Sequence, residues 1–318
     1  MTYAIISDIH GNIHGLDAIL ADAQSHGVDK YLLLGDYASM FPFGNDVVNR
    51  IRGLDNALAI RGNGEDYFIN FLREKPEDMT AKQYRPLYWG FRSLSPENLA
   101  YVTTLPDTAT STEGDWDIQL AHGSSIFYRT PKIDLFFSHP LSCIRQRIPY
   151  TQEEYLSLAK AAVLACPEAV DEILALPKGM YLFGHNHVQF HMEHEGRIFI
   201  NPGACNSCSV NSRGHGEPTV NYTILTVDGG QWVVTERQVG YDYIAAIEGM
   251  HTTGYAAFAP EWSKVTEAEM RTGRNYTTPF VYHIVATGKK MGVGEMHGNN
   301  AVYDEAVKTW DIDGVYAF

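Results

Sequence analysis

Short apolar runs alternate with polar, glycine-containing corners through most of the chain. Tyr3-Ala4-Ile5-Ile6, Tyr31-Leu32-Leu33-Leu34, Ala57-Leu58-Ala59-Ile60, Ile118-Gln119-Leu120 and Met180-Tyr181-Leu182-Phe183 each give way to Gly, Asp or His within a few residues. Runs of this length bounded by turn residues predict buried strands. Between the first two, Leu16, Ile19, Leu20 and Ala23 recur at helical spacing before a His26-Gly27 stop. Asp46, Val47, Val48, Ile51 and Leu54 predict a second helix. Strands alternating with helices over residues 1–65 predict βαβ units and a largely parallel sheet, an α/β fold.

The pattern then changes. Residues 66–115 carry Pro76, Pro86, Pro96 and Pro106 among many aromatics, which predicts short helices packed through rings and no sheet. A second long segment, 124–178, contains a helix from Thr151 with Glu153 and Glu154 in its first turn. A further helix over Val163 to Leu176 is interrupted near Pro167. Strands resume at Arg197–Ile200, Thr219–Val227 and Gln231–Gln238, the last two joined by an Asp228-Gly229-Gly230 hairpin. Residues 241–318 read as an extension with its own helices and one strand, Phe280–Ala286.

Composition narrows the class. With 45% hydrophobic and 19% charged residues in 318, this is an ordinary globular chain. Its net charge of -14 opposes nucleic acid polymers and anionic membranes as partners. No apolar stretch approaches the roughly 18 residues of a spanning helix. The opening residues lack the basic and apolar regions of a secretory signal, so a cytoplasmic protein is expected. Cys205 and Cys208 form a lone C-x-x-C pair without the second pair that structural zinc needs, so packed thiols are expected.

The corners after the five strands carry the chemistry. They are Asp8-Ile9-His10, Gly35-Asp36, Gly62-Asn63, Ala121-His122-Gly123 and Gly184-His185-Asn186-His187. Open α/β sheets build sites at the carboxyl ends of their strands. Seven side chains could therefore converge there: Asp8, His10, Asp36, Asn63, His122, His185 and His187. Asp-x-His and His-x-His place two donors on one face of an extended strand. Asp36 suits a bridging role because a carboxylate has two oxygens. Imidazole mixed with carboxylate favours divalent transition metals (Mn, Fe, Ni or Zn) over calcium.

In that order the motifs resemble those of the calcineurin-like metallophosphoesterases, and Ser7-Asp8-Ile9-His10-Gly11-Asn12 with Asn201-Pro202-Gly203 is similar to the small bacterial phosphodiesterase branch. The resemblance implies a four-layer αββα sandwich with two central mixed sheets. It implies one metal held by Asp8, His10, Asp36 and His187, and a second held by Asp36, Asn63, His122 and His185. It implies hydrolysis of a small-molecule phosphodiester or phosphomonoester, a nucleotide among the candidates, by a metal-bridging hydroxide. Arg61, Asn63 and His122 become the expected catalytic residues, with Asn12 and Arg61 on the substrate. Many relatives carry His after the Asn, where this chain has Gly64, so His14 and His139 are candidate substitute acids. The phosphoesterase domain is expected over 1–240, with the insertions at 66–115 and 124–178 as a helical cap. A homo-oligomer is left open, and the alternative function is a non-catalytic protein-interaction scaffold of the same fold.

Overall fold

The structure is a computed structural model that describes residues 1–75, 78–128, 143, 146, 148, 151–206, 218–293 and 298–317. Two five-stranded mixed sheets stack face to face, with helices on both outer faces. The first sheet runs β10-β9-β1-β2-β3, from β1 Thr2–Ile6, β2 Lys30–Leu33, β3 Ala57–Ala59, β9 Thr219–Asp228 and β10 Gln231–Gly240. Within it β1, β2 and β3 are parallel, and β9 lies antiparallel to β1. The second runs β4-β5-β6-β8-β7, from β4 Thr108–Glu113, β5 Trp116–Ala121, β6 Gly179–Leu182, β7 Gln189–His194 and β8 Arg197–Pro202.

Alternation along β1 shows how the layers form. Tyr3 and Ile5 face the inter-sheet core, where they meet Leu32, Leu120, Met180, Leu182 and Ile200. Ala4 and Ile6 point the other way, into helices Ile13–Ser25 and Gly44–Arg52. A strand covered on both faces is apolar throughout, which is why its run is continuous. Helices Gln152–Leu164 and Pro167–Ala175 cover the second sheet through Tyr155, Val163 and Ile173 against Phe183, Phe190 and Phe199. Thr151 and Glu154 exchange N-terminal hydrogen bonds of 3.2 Å as a capping box. Gly229 and Gly230, with φ of 52° and 80°, make the expected β9–β10 hairpin.

Three expectations about elements are corrected. Phe280–Ala286 is not a strand but lies inside helix Thr277–Lys290. Phe280, Ile284 and Thr287 recur at helical spacing and are buried, the first two among Trp262, Tyr303 and Val302, so tertiary packing overrides the β-branched composition. Residues 108–113, assigned to a helical insertion, form β4, whose alternating burial on the sheet edge is too weak a pattern to stand out. The strand β7 was also missed, because His191, Glu193 and His194 break up its apolar positions. No helix among the described residues is long and apolar enough to cross a membrane.

Candidate metal centre

All five chemistry-bearing corners follow the carboxyl ends of strands. β1 leads to Asp8 and His10, β2 to Asp36, and β3 to Asn63; β5 leads to His122, and β6 to His185 and His187. The corners are sewn together by backbone hydrogen bonds. Asp8 N–H donates to the Gly35 carbonyl (3.1 Å), His10 N–H to Asp36 (2.8 Å) and Gly184 N–H to His122 (2.9 Å). The site thus joins the ends of both sheets.

The donors do not share a face for the reason the sequence suggested. Asp8, His10, Asp36, His185 and His187 have φ of 53°, 51°, 59°, 70° and 56°. They are five of the eight non-glycine residues with positive φ among the described residues. Left-handed backbone costs about 1–2 kcal/mol per residue, so these side chains are aimed by strained turns beyond the strands, not by strand alternation. Such strain persists where surrounding structure over-determines it, and it gathers at functional sites.

Asp8, His10 and His187 bring ligand atoms within 4.8 Å of one another, as do Asp8, Asp36 and His122. Asp36 Oδ2 lies 3.7 Å from His10 Nε2 and 3.6 Å from His122 Nε2, between the two groups. Its Oδ1 accepts the Gly64 N–H at 2.6 Å. One oxygen therefore faces both groups and the other is held by backbone. Asp8 joins both clusters, a sharing the sequence did not suggest. His185 stands beside His122, ring centroids 5.1 Å apart, and its N–H donates to Asp8 Oδ2, but its imidazole enters neither cluster.

The atoms present fit cations. His122 Nδ1 is 2.7 Å from the Leu34 carbonyl, which can only accept, so Nδ1 carries the proton. In the neutral ring Nε2 then presents a lone pair to Asn63 Oδ1 at 3.0 Å, two acceptors aimed at one place. Asp8 Oδ1 is buried and its near neighbour is His187 Nε2 at 3.2 Å, a contact too poorly aligned to be a good hydrogen bond. Burial opposes ionisation of Asp8, yet His187, His122 and His10 outweigh it and hold its carboxyl well below the usual range. Burial pushes His10 down to about 4, keeping it neutral and able to ligate. Burial also opposes charge on His122 and His187, but the carboxylates beside them raise both.

Several supporting residues were not picked out as such. Buried Glu65 accepts three backbone N–H groups, from Asp36 (2.9 Å), Tyr37 (2.9 Å) and Gly62 (2.8 Å), and so fixes the corner that carries Asp36. Burial and the charge of Asp36 push its pKa up to about 7. Ser39 Oγ orients His10 through Nδ1 at 2.8 Å. Asn201 Nδ2 donates to the Gly184 carbonyl and to Asn186 Oδ1, holding the Gly-His-Asn-His turn. The Asn206 amide lies 3.2 Å from His187 Nδ1. Glu65 sits inside the Gly62-Asn63-Gly64-Glu65 string, whereas Asn206 has no local pattern that would reveal it.

Other candidate residues have partners of their own. Asn12 is fully buried; its Oδ1 caps helix Ile13–Ser25 by accepting the Gly15 N–H (3.0 Å), and its Nδ2 donates to the Asn206 carbonyl (2.7 Å). Both ends of the amide are used internally, which removes Asn12 from the substrate-binding set. Arg61 pairs with Asp66 and Asp107 and donates to the Leu105 carbonyl, so its guanidinium clamps the chain after helix Pro96–Thr104. His14 packs edge-on against Phe43. His139 and Cys208 lie outside the described residues, and Cys205 is a buried free thiol.

An αββα sandwich with Asp/His clusters at the strand ends where its two sheets meet is the construction of a metallophosphoesterase. Residues 1–230 match the calcineurin-like phosphoesterase superfamily domain, and the chain belongs to that family. It is 26% identical over 200 residues to an uncharacterized protein of Methanocaldococcus jannaschii, covering 63% of this chain and 68% of that one. Its fold is similar to a metallophosphoesterase from Sphaerobacter thermophilus (TM-score 0.55, 24% identity, 83% of this chain and 98% of that one). It is also similar to a hypothetical protein from Pyrococcus horikoshii (TM-score 0.57, 16% identity, 86% and 99%).

Proposed function

We propose that the chain is a metal-dependent phosphoesterase hydrolysing a small-molecule phosphodiester or phosphomonoester. The observation that carries this is Asp36 Oδ2 placed between His10 and His122, with the buried Asp8 Oδ1 facing His10 and His187 beside them. Two divalent ions (Mn, Fe, Ni or Zn) would supply Lewis acidity and an activated water at neutral pH. Asp8, His10, Asp36 and His187 would hold one, and Asp36, Asn63, His122 and His185 the other. The Leu34 carbonyl keeps the His122 Nε2 lone pair directed inward, and Glu65 keeps the Asp36 corner closed.

Gly64 offers no imidazole to the leaving group, and its N–H instead fixes Asp36. General acid help is typically worth ~10²–10⁴-fold, so esters with good leaving groups are favoured. The net charge of -14 favours a small substrate over a nucleic acid polymer. Residues 1–240 form the catalytic domain in this reading, and 241–318 an extension upon it.

The test is hydrolysis of bis-p-nitrophenyl phosphate and p-nitrophenyl phosphate by metal-stripped protein with Mn²⁺, Ni²⁺, Zn²⁺ or Mg²⁺ returned, beside Asp36→Asn. Metal-dependent turnover that is lost in Asp36→Asn supports the proposal. Two metals bound without turnover of either ester would overturn it in favour of a scaffold.

A further inference from the structure

A cavity of about 220 Å³ opens from His10, Asp36 and Asn63 and runs between two elements outside the sandwich. One wall comes from the first insertion through Tyr67, Tyr84 and Leu87. The opposite wall comes from helices Pro260–Thr272 and Thr277–Lys290, through Trp262 and Val281. This second wall lies beyond residues 1–230, the part that matches the family.

The walls are joined to each other. Lys82 Nζ pairs with both carboxylate oxygens of Asp304 (2.6 and 2.7 Å), and Lys82 N–H donates to Asn300 Oδ1 (2.7 Å). Asn300 Nδ2 returns a bond to the Thr80 carbonyl (3.1 Å), and Gly298 N–H donates to Gln83 Oε1 (3.2 Å). Helix Asn300–Thr309 thus fixes the insertion beside the extension, and the width of the cavity is set by structure.

Its size and lining select a ligand chemistry. Drug-sized ligands occupy roughly 300–1,000 Å³, whereas a cavity of ~150 Å³ takes benzene. At about 220 Å³ there is room for one substituted ring between the walls. The walls are mostly aromatic and aliphatic, and no Lys or Arg lines the cavity among the described residues. The acidic group Asp36 stands at its floor. Beyond the metal ligands, an anionic substituent on the ring would meet no cationic side chain between these walls and would lose its water.

We propose that this cavity holds the organic group of the phosphoester and selects a single uncharged aromatic ring, with Trp262 and Val281 of the C-terminal extension as specificity-determining residues. The inference rests on the phosphoesterase reading for the position of the phosphoryl group at the metal clusters. The ring then lies against Tyr67, Tyr84 and Leu87 on one side and the extension on the other.

The test is calorimetric binding of phenylphosphonate, 4-carboxyphenylphosphonate and ethylphosphonate to the full chain loaded with Mn²⁺. Turnover of the matching phosphate esters is followed in parallel. Phenylphosphonate is expected to bind at least about tenfold more tightly than either of the others, the lower end of what one apolar contact difference yields in a pocket. Val281 and Leu87 are both half-buried and both line the cavity. Val281→Lys, and independently Leu87→Lys, should shift preference at least about tenfold toward the carboxyphenyl ligand. Equal binding of the three ligands, or folded lysine variants with an unchanged preference, would overturn the proposal. Selective binding without turnover keeps the cavity's role and removes the phosphoesterase reading. Turnover without selectivity does the reverse.

Discussion

Replacing Asn12 with Ala separates a structural role from a substrate contact. Asn12 is 0% exposed, and its amide makes two internal hydrogen bonds, to the Gly15 N–H and to the Asn206 carbonyl. Loss of an N-terminal helix cap costs about 0.5–2 kcal/mol. A buried carbonyl left without its donor costs about 1–3 kcal/mol. Together these predict that Asn12→Ala lowers the unfolding free energy of the metal-free protein by about 2–4 kcal/mol. Urea unfolding followed by far-UV circular dichroism reads this as a lower midpoint at constant slope. Asn12→Ser should recover about 1 kcal/mol, since serine caps nearly as well as asparagine but cannot reach Asn206. In the same samples, KM for a phosphoester should change less than the stability predicts. An unchanged midpoint with KM raised tenfold would refute the structural assignment and return Asn12 to the substrate.

Three further outcomes follow from the geometry. Gly184→Ala would place a methyl 2.6 Å from Asp8 Oδ2 and closer still to Ser7 Oγ; metal affinity should fall about 10–100-fold, the scale seen when groups supporting ligands are displaced, and Mn²⁺ titration calorimetry checks it. Asp22 accepts two hydrogen bonds from Arg237 (3.0 and 2.7 Å) and one from Tyr222 (2.6 Å), and although burial opposes its charge these partners lower its pKa. Because the folded-state pKa is depressed, the ionised group stabilises at neutral pH and the benefit disappears as pH falls below the ordinary value of 3.8. Asp22→Asn should therefore be destabilised by about 2 kcal/mol at pH 7, with the gap narrowing progressively as pH falls below 3.8 in denaturant titrations. Arg61→Ala should lower stability by about 1 kcal/mol and leave KM within twofold; a tenfold rise in KM would restore Arg61 to the phosphate.

The strand runs and their polar corners carried an α/β plan and the seven candidate ligands, because buried parallel strands are apolar throughout and their carboxyl ends are where α/β sheets build sites, while the two-sheet sandwich came only through the family resemblance. Local sequence could also identify the start of helix Gln152–Leu164 and the Asp228-Gly229-Gly230 hairpin, whose signals lie within a few residues. What it could not show was how the ligands are aimed. The positive φ of Asp8, His10, Asp36, His185 and His187 is imposed by hydrogen bonds between separate corners, and no local pattern encodes it. Asn12 and Arg61 looked available to substrate because their partners, Asn206 and Asp107, are distant in sequence. Phe280–Ala286 carries strand-forming residues, yet becomes helix because one of its faces is buried among Trp262, Val302 and Tyr303. The cavity wall supplied by Trp262 and Val281 exists only where the extension folds back over the insertion. Sequence determined which groups could do chemistry, through residue type and short-range order; tertiary structure decided which of them meet, because burial and long-range hydrogen bonds set side-chain direction.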